Sequence, residues 1–226
     1  MTPLVVLTQG IDADALSLLQ RAARVQVLPD TAPDTIRQAV AQAHAVMVRA
    51  PLPDDVFACG PGLLGAVRHG AGVDMIPIDA ATQAGVPVAN VPGVNAATVA
   101  EYVLGQMLQS ARRLARVDQH LRSQGWLAAR ALADSGRDLG GRTLGIVGAG
   151  AIGAALAHAA GLGLGMRVLG HRRSIGPLPE PMQRASLDDL LEQADYLALC
   201  CPLTEQTRGL IGARELARMR PGAVLV

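Results

Sequence analysis

Short apolar runs alternate along this chain with segments whose apolar positions recur every three or four residues. Leu4–Leu7, Val25–Leu28, Ala45–Val48 and Gly65–Arg68 are runs of the first kind and predict strands. Between them, residues 12–22 and 34–43 have helical spacing, and residues 54–59 predict a short helix. A helical turn at Ile78–Gln83 precedes a short strand at Val88–Val91. A second series starts at Arg142, with strands near Thr143–Val147, Met166–Leu169, Tyr196–Leu199 and Ala223–Val226. Its helices fall near Ile152–Gly161, Leu187–Glu192 and Ala213–Met219. Between the two series the longest periodic segment runs from Ala96 to about Gln119, then passes through a less regular stretch to Trp126. Strands that alternate with helices predict parallel sheets covered on both faces, an α/β protein of two units with the long helix as hinge.

Composition narrows the function. The 226 residues are half hydrophobic with a formal charge of +1, a soluble globular pattern with room for one large domain or two small ones. Near-neutral charge and 2% aromatic content offer neither a nucleic-acid footprint nor a base-stacking platform. All 20 basic residues are Arg, which excludes a Schiff-base lysine and a Walker A loop. Cys59, Cys200 and Cys201 form no CxxC pair and are expected as buried thiols in a reducing compartment, with a cytoplasmic location to match. MTPLVVLTQG has no basic leader region and predicts a first strand. Residues 143–166 carry no charge apart from a neutral His158, and Gly161 with Gly165 spells GxxxG. Glycine is too dense there for a membrane helix, and its spacing has another explanation.

TLGIVGAGAIGAALAHA, residues 143–159, places G-x-G-x-x-G between a strand and a helix. Gly148 permits the tight turn, Gly150 lets backbone approach a pyrophosphate, and Gly153 lets helix and strand pack closely. The helix N-terminus then offers unpaired N–H groups to phosphate. The bland alternatives are a glycine-rich turn used only for packing, or an S-adenosylmethionine site. The next strand leads into His171, Arg172, Arg173 and Ser174, where an NAD site carries an acid for the ribose 2′-hydroxyl. Two guanidiniums there attract a 2′-phosphate. NADP is therefore expected over NAD, the alternative being a solvated loop and an unselective site.

RHGAGVDMIPIDAATQAGVPVANVPGVNAATVAEYVLGQML (68–108), LGGRTLGIVGAGAIG (139–153) and LDDLLEQADYLALCCPLTEQTRGLIGARELARMRPGAVLV (187–226) occur in that order. With these segments the chain resembles the D-isomer-specific 2-hydroxyacid dehydrogenases over essentially its whole length. The resemblance implies two doubly wound parallel-sheet domains. One is a flavodoxin-like substrate domain at residues 1–97, the other a Rossmann NAD(P)-binding domain at 98–226, the second incomplete. It implies interconversion of a D-2-hydroxy acid and a 2-oxo acid, glyoxylate or hydroxypyruvate among them, in a homodimer joined through the cofactor domain. The amides around Gly70, Ala71 and Gly72 would bind the substrate carboxylate, as glycines after a strand form an anion nest. Arg49 would lie near them, a surface ion pair being the equal alternative. Ala151 and Ile152 would face the pyrophosphate, Cys201, Pro202 and Thr207 the adenosine, and Val99 the nicotinamide.

Glu101 is expected to tie the helix to a loop, and His69 to be structural, since the family's catalytic histidine comes from elsewhere. The family's catalytic Arg follows the strand that is Ala223–Val226 here, with Glu and His further on. None lies in residues 1–226, so the expectation is a C-terminally truncated sequence that is inactive alone, with no catalytic residue of its own. A non-catalytic dinucleotide-binding paralogue and a corepressor-like nucleotide sensor remain the alternatives.

Overall fold

The computed structural model describes residues 2–226. The chain divides into two compact units, one ending at Val94 and the other starting at Asn95.

The first unit runs β1 (Leu4–Leu7), α1 (Ala13–Gln20), β2 (Arg24–Val27), α2 (Pro33–Val40), β3 (Ala45–Val48), α3 (Val56–Cys59), β4 (Gly65–Arg68), α4 (Ile78–Gln83) and β5 (Val88–Ala89). Its strands form one parallel sheet in the order β2-β1-β3-β4-β5. Val6, Val46, Val48 and Ala66 leave the sheet to meet Ile36, Val40, Val56 and Phe57, all buried. Each of the Val, Ile and Phe side chains withdrawn from water stabilises the unit by roughly 1.5–3 kcal/mol. Helix α1 is capped by Asp12, whose carboxylate accepts from the amides of Asp14 and Ala15 at 3.0 and 3.3 Å. The strand order reverses at β1, so a crevice opens beyond the carboxyl ends of β1 and β3.

The second unit begins with α5 (Ala96–Arg112), α6 (Leu114–Gln124) and α7 (Trp126–Ala133). It continues as β6 (Thr143–Val147), α8 (Ala151–His158), β7 (Arg167–His171), β8 (Gln183–Arg184), α9 (Leu187–Gln193), β9 (Tyr196–Leu199), α10 (Ala213–Arg218) and β10 (Val224–Leu225). The parallel sheet has the order β10-β9-β6-β7-β8. Central β6 is buried at all five positions, which explains its unbroken apolar run. Helix α5 buries Ala100, Val103, Met107 and Ala111 in the same core as Leu156, Ala157 and Ala160.

The long helix expected from Ala96 to about Gln119 is broken. Arg113 adopts the left-handed conformation (φ 55°), which ends α5 and starts α6 in a new direction. Its guanidinium donates to Ser135 Oγ at 2.9 Å, and Ala111 O accepts from the amide of Arg137. The stretch expected to be irregular near Trp126 is instead the start of α7, joined to α6 through Gly125 at φ 81°. Short β8 had no pattern of its own in the sequence. Among the described residues no helix is long and apolar enough to cross a membrane. The uncharged stretch is β6, the glycine turn, α8 and a π-helical turn at Ala159–Gly163. Gly161 has a packing reason: a Cβ there would lie 2.5 Å from Pro181 Cγ.

A polar cavity of about 150 Å³ lies at the amino ends of β6, β9 and β10, lined by Arg137, Arg142, Asp195 and Arg220 among others. Asp195 accepts from the Thr143 amide at 2.9 Å and pairs with Arg220 at 3.2 Å and Arg142 at 3.7 Å. These bonds tie the strand starts together, at the end of the sheet opposite the glycine turn.

Candidate cofactor-binding and substrate-loop sites

The order of the second sheet reverses at β6, and the glycine turn leaves its carboxyl end. Each glycine answers a separate requirement. Gly148 has φ 103°, and a Cβ on it would meet the Cys201 nitrogen at 2.5 Å and the Cys200 carbonyl carbon at 2.7 Å. Its amide donates to His171 O, and the Cys200 amide to Val147 O. The turn is therefore clasped between the ends of β7 and β9. A Cβ on Gly153 would lie 2.3 Å from the Gly148 carbonyl oxygen, so α8 can start here only with glycine. Gly150 has nothing within 4 Å of where a Cβ would stand. It is a glycine with no internal reason to be one, and the open space suits a group that needs bare backbone. The amides of Ala151, Ile152 and Gly153, the first of α8, have no acceptor among the described residues, and no side chain caps the helix. These features fit the pyrophosphate of a dinucleotide.

The other expected cofactor residues lie in the loops after β7 and β9 and in α5. Arg172, Arg173 and Ser174 form the loop after β7. Arg172 Nε donates to Ser174 Oγ at 2.8 Å and its Nη1 to Pro177 O, while Arg173 Nη1 donates to Gln206 Oε1 at 2.7 Å. Neither guanidinium has a carboxylate partner among the described residues, so both charges stay available to an anion. Cys201, Pro202 and Thr207 lie in the loop after β9. Thr207 Oγ1 donates to Pro202 O at 2.7 Å and accepts from the Thr204 amide at 2.8 Å, which fixes that loop as a tight turn. Cys200 and Cys201 face opposite sides of the sheet, each packed against a different core cluster. Burial, and to a smaller extent the neighbouring Cys201, pushes the Cys200 thiol up to about 11. Val99 lies half-buried in the first turn of α5. Glu101 is exposed and engages no described group, so the expected tie from helix to loop is not made.

In the first unit the substrate loop follows β4. Gly70 (φ 147°) gives its carbonyl to the Val91 amide at 3.0 Å, and Ala71 O accepts from Asn90 Nδ2 at 2.7 Å. With the carbonyls of Gly70 and Ala71 held, Ala71 and Gly72 present amides that have no acceptor among the described residues, whereas the Gly70 amide, expected to bind substrate as well, donates to Arg68 O at 2.9 Å. Arg49 leaves the end of β3, and its guanidinium donates to Gly10 O rather than to a carboxylate. His69 is exposed, and its backbone rather than its ring is engaged: its amide donates to Val48 O and its carbonyl accepts from Arg68 Nη1 at 2.6 Å.

Two residues of this site carried no signal in the sequence reading. The buried Thr8 hydroxyl accepts from the amides of Arg49 and Ala50 at 2.8 and 3.1 Å and so sets the turn that carries Arg49. Arg68 folds its guanidinium back onto Val48 O and His69 O, beside Gly70, and leaves a buried Nε without a partner. Its place as the last residue of a strand before a glycine-rich loop was the only available clue.

Residues 104–226 match the model of the D-isomer specific 2-hydroxyacid dehydrogenase NAD binding domain. Glyoxylate reductase of Korarchaeum cryptofilum is 34% identical over all of this chain and 70% of its own length. Hydroxypyruvate reductase of Thermotoga maritima is 32% identical over 96% of this chain and 70% of its own. Among solved structures, the TT0316 protein of Thermus thermophilus superposes with a TM-score of 0.85 at 34% identity, covering 98% of this chain and 72% of that one. With the glycine turn at the switch point of β6 and these likenesses across both units, the chain belongs to the D-isomer specific 2-hydroxyacid dehydrogenases, a family of NAD(P)-dependent oxidoreductases.

Proposed function

We propose that this chain carries the NADPH-binding and substrate-loop portions of a reductase that converts small 2-oxo acids of the glyoxylate and hydroxypyruvate class to D-2-hydroxy acids. The observation that carries the cofactor half is the unpaired guanidinium pair, Arg172 and Arg173, where an NAD site would hold an acid. A 2′-phosphate supplies the missing counter-charge and accepts two parallel N–H bonds from one fork. When bound, the nicotinamide supplies the hydride. The chain's own residues then bind and orient. The amides of Ala151, Ile152 and Gly153 hold the pyrophosphate, and the bare backbone at Gly150 lets it approach. Cys201, Pro202 and Thr207 border the adenosine, and Val99 the nicotinamide. The unit through Val94 is the substrate side. Its free amides at Ala71 and Gly72 take the carboxylate, next to Gly70, whose own amide is held by Arg68 O, with the Arg49 charge nearby.

Inactivity of the 226 residues alone is part of this proposal and is tested by turnover; the histidine ring contacts among the described residues are to backbone, His44 with the Leu4 amide, His120 with Arg116 O and His171 with Ala185 O. A homodimer fits α6 and α7, which bury only Ala129 between them and expose Leu121, Trp126 and Leu127. A cytoplasmic location fits three free thiols. The test is calorimetric titration of the chain with NADPH and with NADH. NADPH binding at least tenfold tighter supports the reading; equal affinities, or tighter NADH, overturn the cofactor assignment. Steady reduction of glyoxylate by the 226 residues alone would overturn the expectation of inactivity.

A further inference from the structure

The loop after β7 and the loop after β9 meet at one bond, Arg173 Nη1 to Gln206 Oε1 at 2.7 Å. We propose that Gln206 is a positioning residue for the cofactor, and that it sets the preference for a 2′-phosphorylated adenosine. The inference rests on the NADPH reading above and deepens it.

The backbone of Gln206 is not free to wander. It lies inside the turn closed by Thr204 and Thr207, where the amides of Thr207 and Arg208 both donate to Thr204 O, at 3.1 and 2.9 Å, and the Thr207 hydroxyl anchors to Pro202 O. The amide side chain therefore leaves a fixed point on one loop and reaches the guanidinium of the other. A guanidinium has two donor edges. With Nη1 given to Gln206, the edge formed by Nε and Nη2 remains for two parallel bonds to a phosphate. Gln206 thus fixes where that edge points, and because its acceptor is neutral it leaves the positive charge of Arg173 uncompensated. A carboxylate at the same atom positions would make the same bond but neutralise the charge and repel the phosphate. Arg172 needs no such partner, since its own loop holds it through Ser174 Oγ and Pro177 O.

Two probes read this without turnover: 2′,5′-ADP, which carries the 2′-phosphate, and 5′-AMP, which lacks it. Both are titrated by calorimetry into the 226-residue chain and into the Gln206→Glu and Gln206→Met variants. Gln206→Glu is expected to weaken 2′,5′-ADP about tenfold, in keeping with an added like charge at the phosphate, while 5′-AMP changes less than twofold. Gln206→Met is expected to weaken 2′,5′-ADP about threefold through loss of orientation alone. The ratio of the two affinities is the readout, because a merely structural fault in the turn would lower both. A wild-type chain that prefers 2′,5′-ADP, with that ratio unchanged in both variants, overturns the role of Gln206 and leaves the NADPH reading standing. A wild-type chain with no preference overturns both.

Discussion

Gly150 and Gly153 stand three residues apart and are glycine for different reasons, which makes them separable by mutation. A Cβ at Gly153 would sit 2.3 Å from the Gly148 carbonyl oxygen, whereas C···O contacts are ordinarily about 3.3 Å or more. Gly153→Ala must therefore move α8 by about 1 Å from a turn that is itself clasped by His171 O and by the Cys200–Cys201 peptide. Overpacking of this kind costs about 1–3 kcal/mol. With a urea dependence of roughly 2–3 kcal/mol per molar, the unfolding midpoint falls by about 0.3–1.5 M. Gly150→Ala meets nothing within 4 Å, so its unfolding free energy stays within about 0.5 kcal/mol of wild type. Its new methyl occupies the approach reserved for the pyrophosphate, and NADPH binding is expected to fall at least about tenfold, or 1.4 kcal/mol. Urea denaturation followed by circular dichroism, paired with NADPH titration, reads both variants. A wild-type midpoint for Gly153→Ala, or undiminished NADPH binding by Gly150→Ala, would refute the reasoning.

Other outcomes follow from the same structure. Thr8→Val strips the acceptor from two amides behind Arg49 and should cost about 1–3 kcal/mol in urea unfolding of the first unit; a change under 0.5 kcal/mol contradicts the assigned bonds. Asp195→Ala unties Thr143 N, Arg142 and Arg220 and should cost about 2 kcal/mol, checked by the same unfolding curve, while NADPH affinity holds because the cluster lies at the far end of the strands. The thiolate is the form that alkylates, and burial raises the Cys200 thiol from 9.0 to about 11. Labelling of Cys200 by iodoacetamide, followed by mass spectrometry, should therefore keep rising between pH 9 and pH 11. A plateau below pH 9.5 would contradict the burial assigned to it. The same shift makes the protonated thiol the favoured folded form, so its contribution to stability is present below pH 9 and is lost as the pH rises toward 11.

The strands and the glycine turn were legible because their signals are local. A four- or five-residue run of mostly apolar positions needs no tertiary partner to be recognised, and β1, β3, β4, β6 and β9 stand where their runs are. The break at Arg113 was not legible, since an arginine in an otherwise helical pattern gives no warning of a left-handed backbone. Residues beyond it keep helical spacing, so periodicity alone extends the helix to Gln119. What stops it is the packing of the last turn of α5 against the Ser135–Arg137 segment, a contact across more than twenty residues of sequence. β8 escaped for a like reason: two residues pairing with β7 carry no period. In the candidate site, the glycines and the arginine pair announced themselves by type and spacing. Thr8, Arg68 and Gln206 did not, because each acts through a partner remote in sequence.

The most direct measurement is amide hydrogen exchange of the 226-residue chain with and without saturating NADPH. Slowed exchange at residues 149–153, at 171–174 and at 201–207, with the first sheet little changed, is the expected result. Protection absent from the glycine turn, or centred on the arginine-lined cavity at the other end of the strands, would contradict the assignment of this turn as the dinucleotide site.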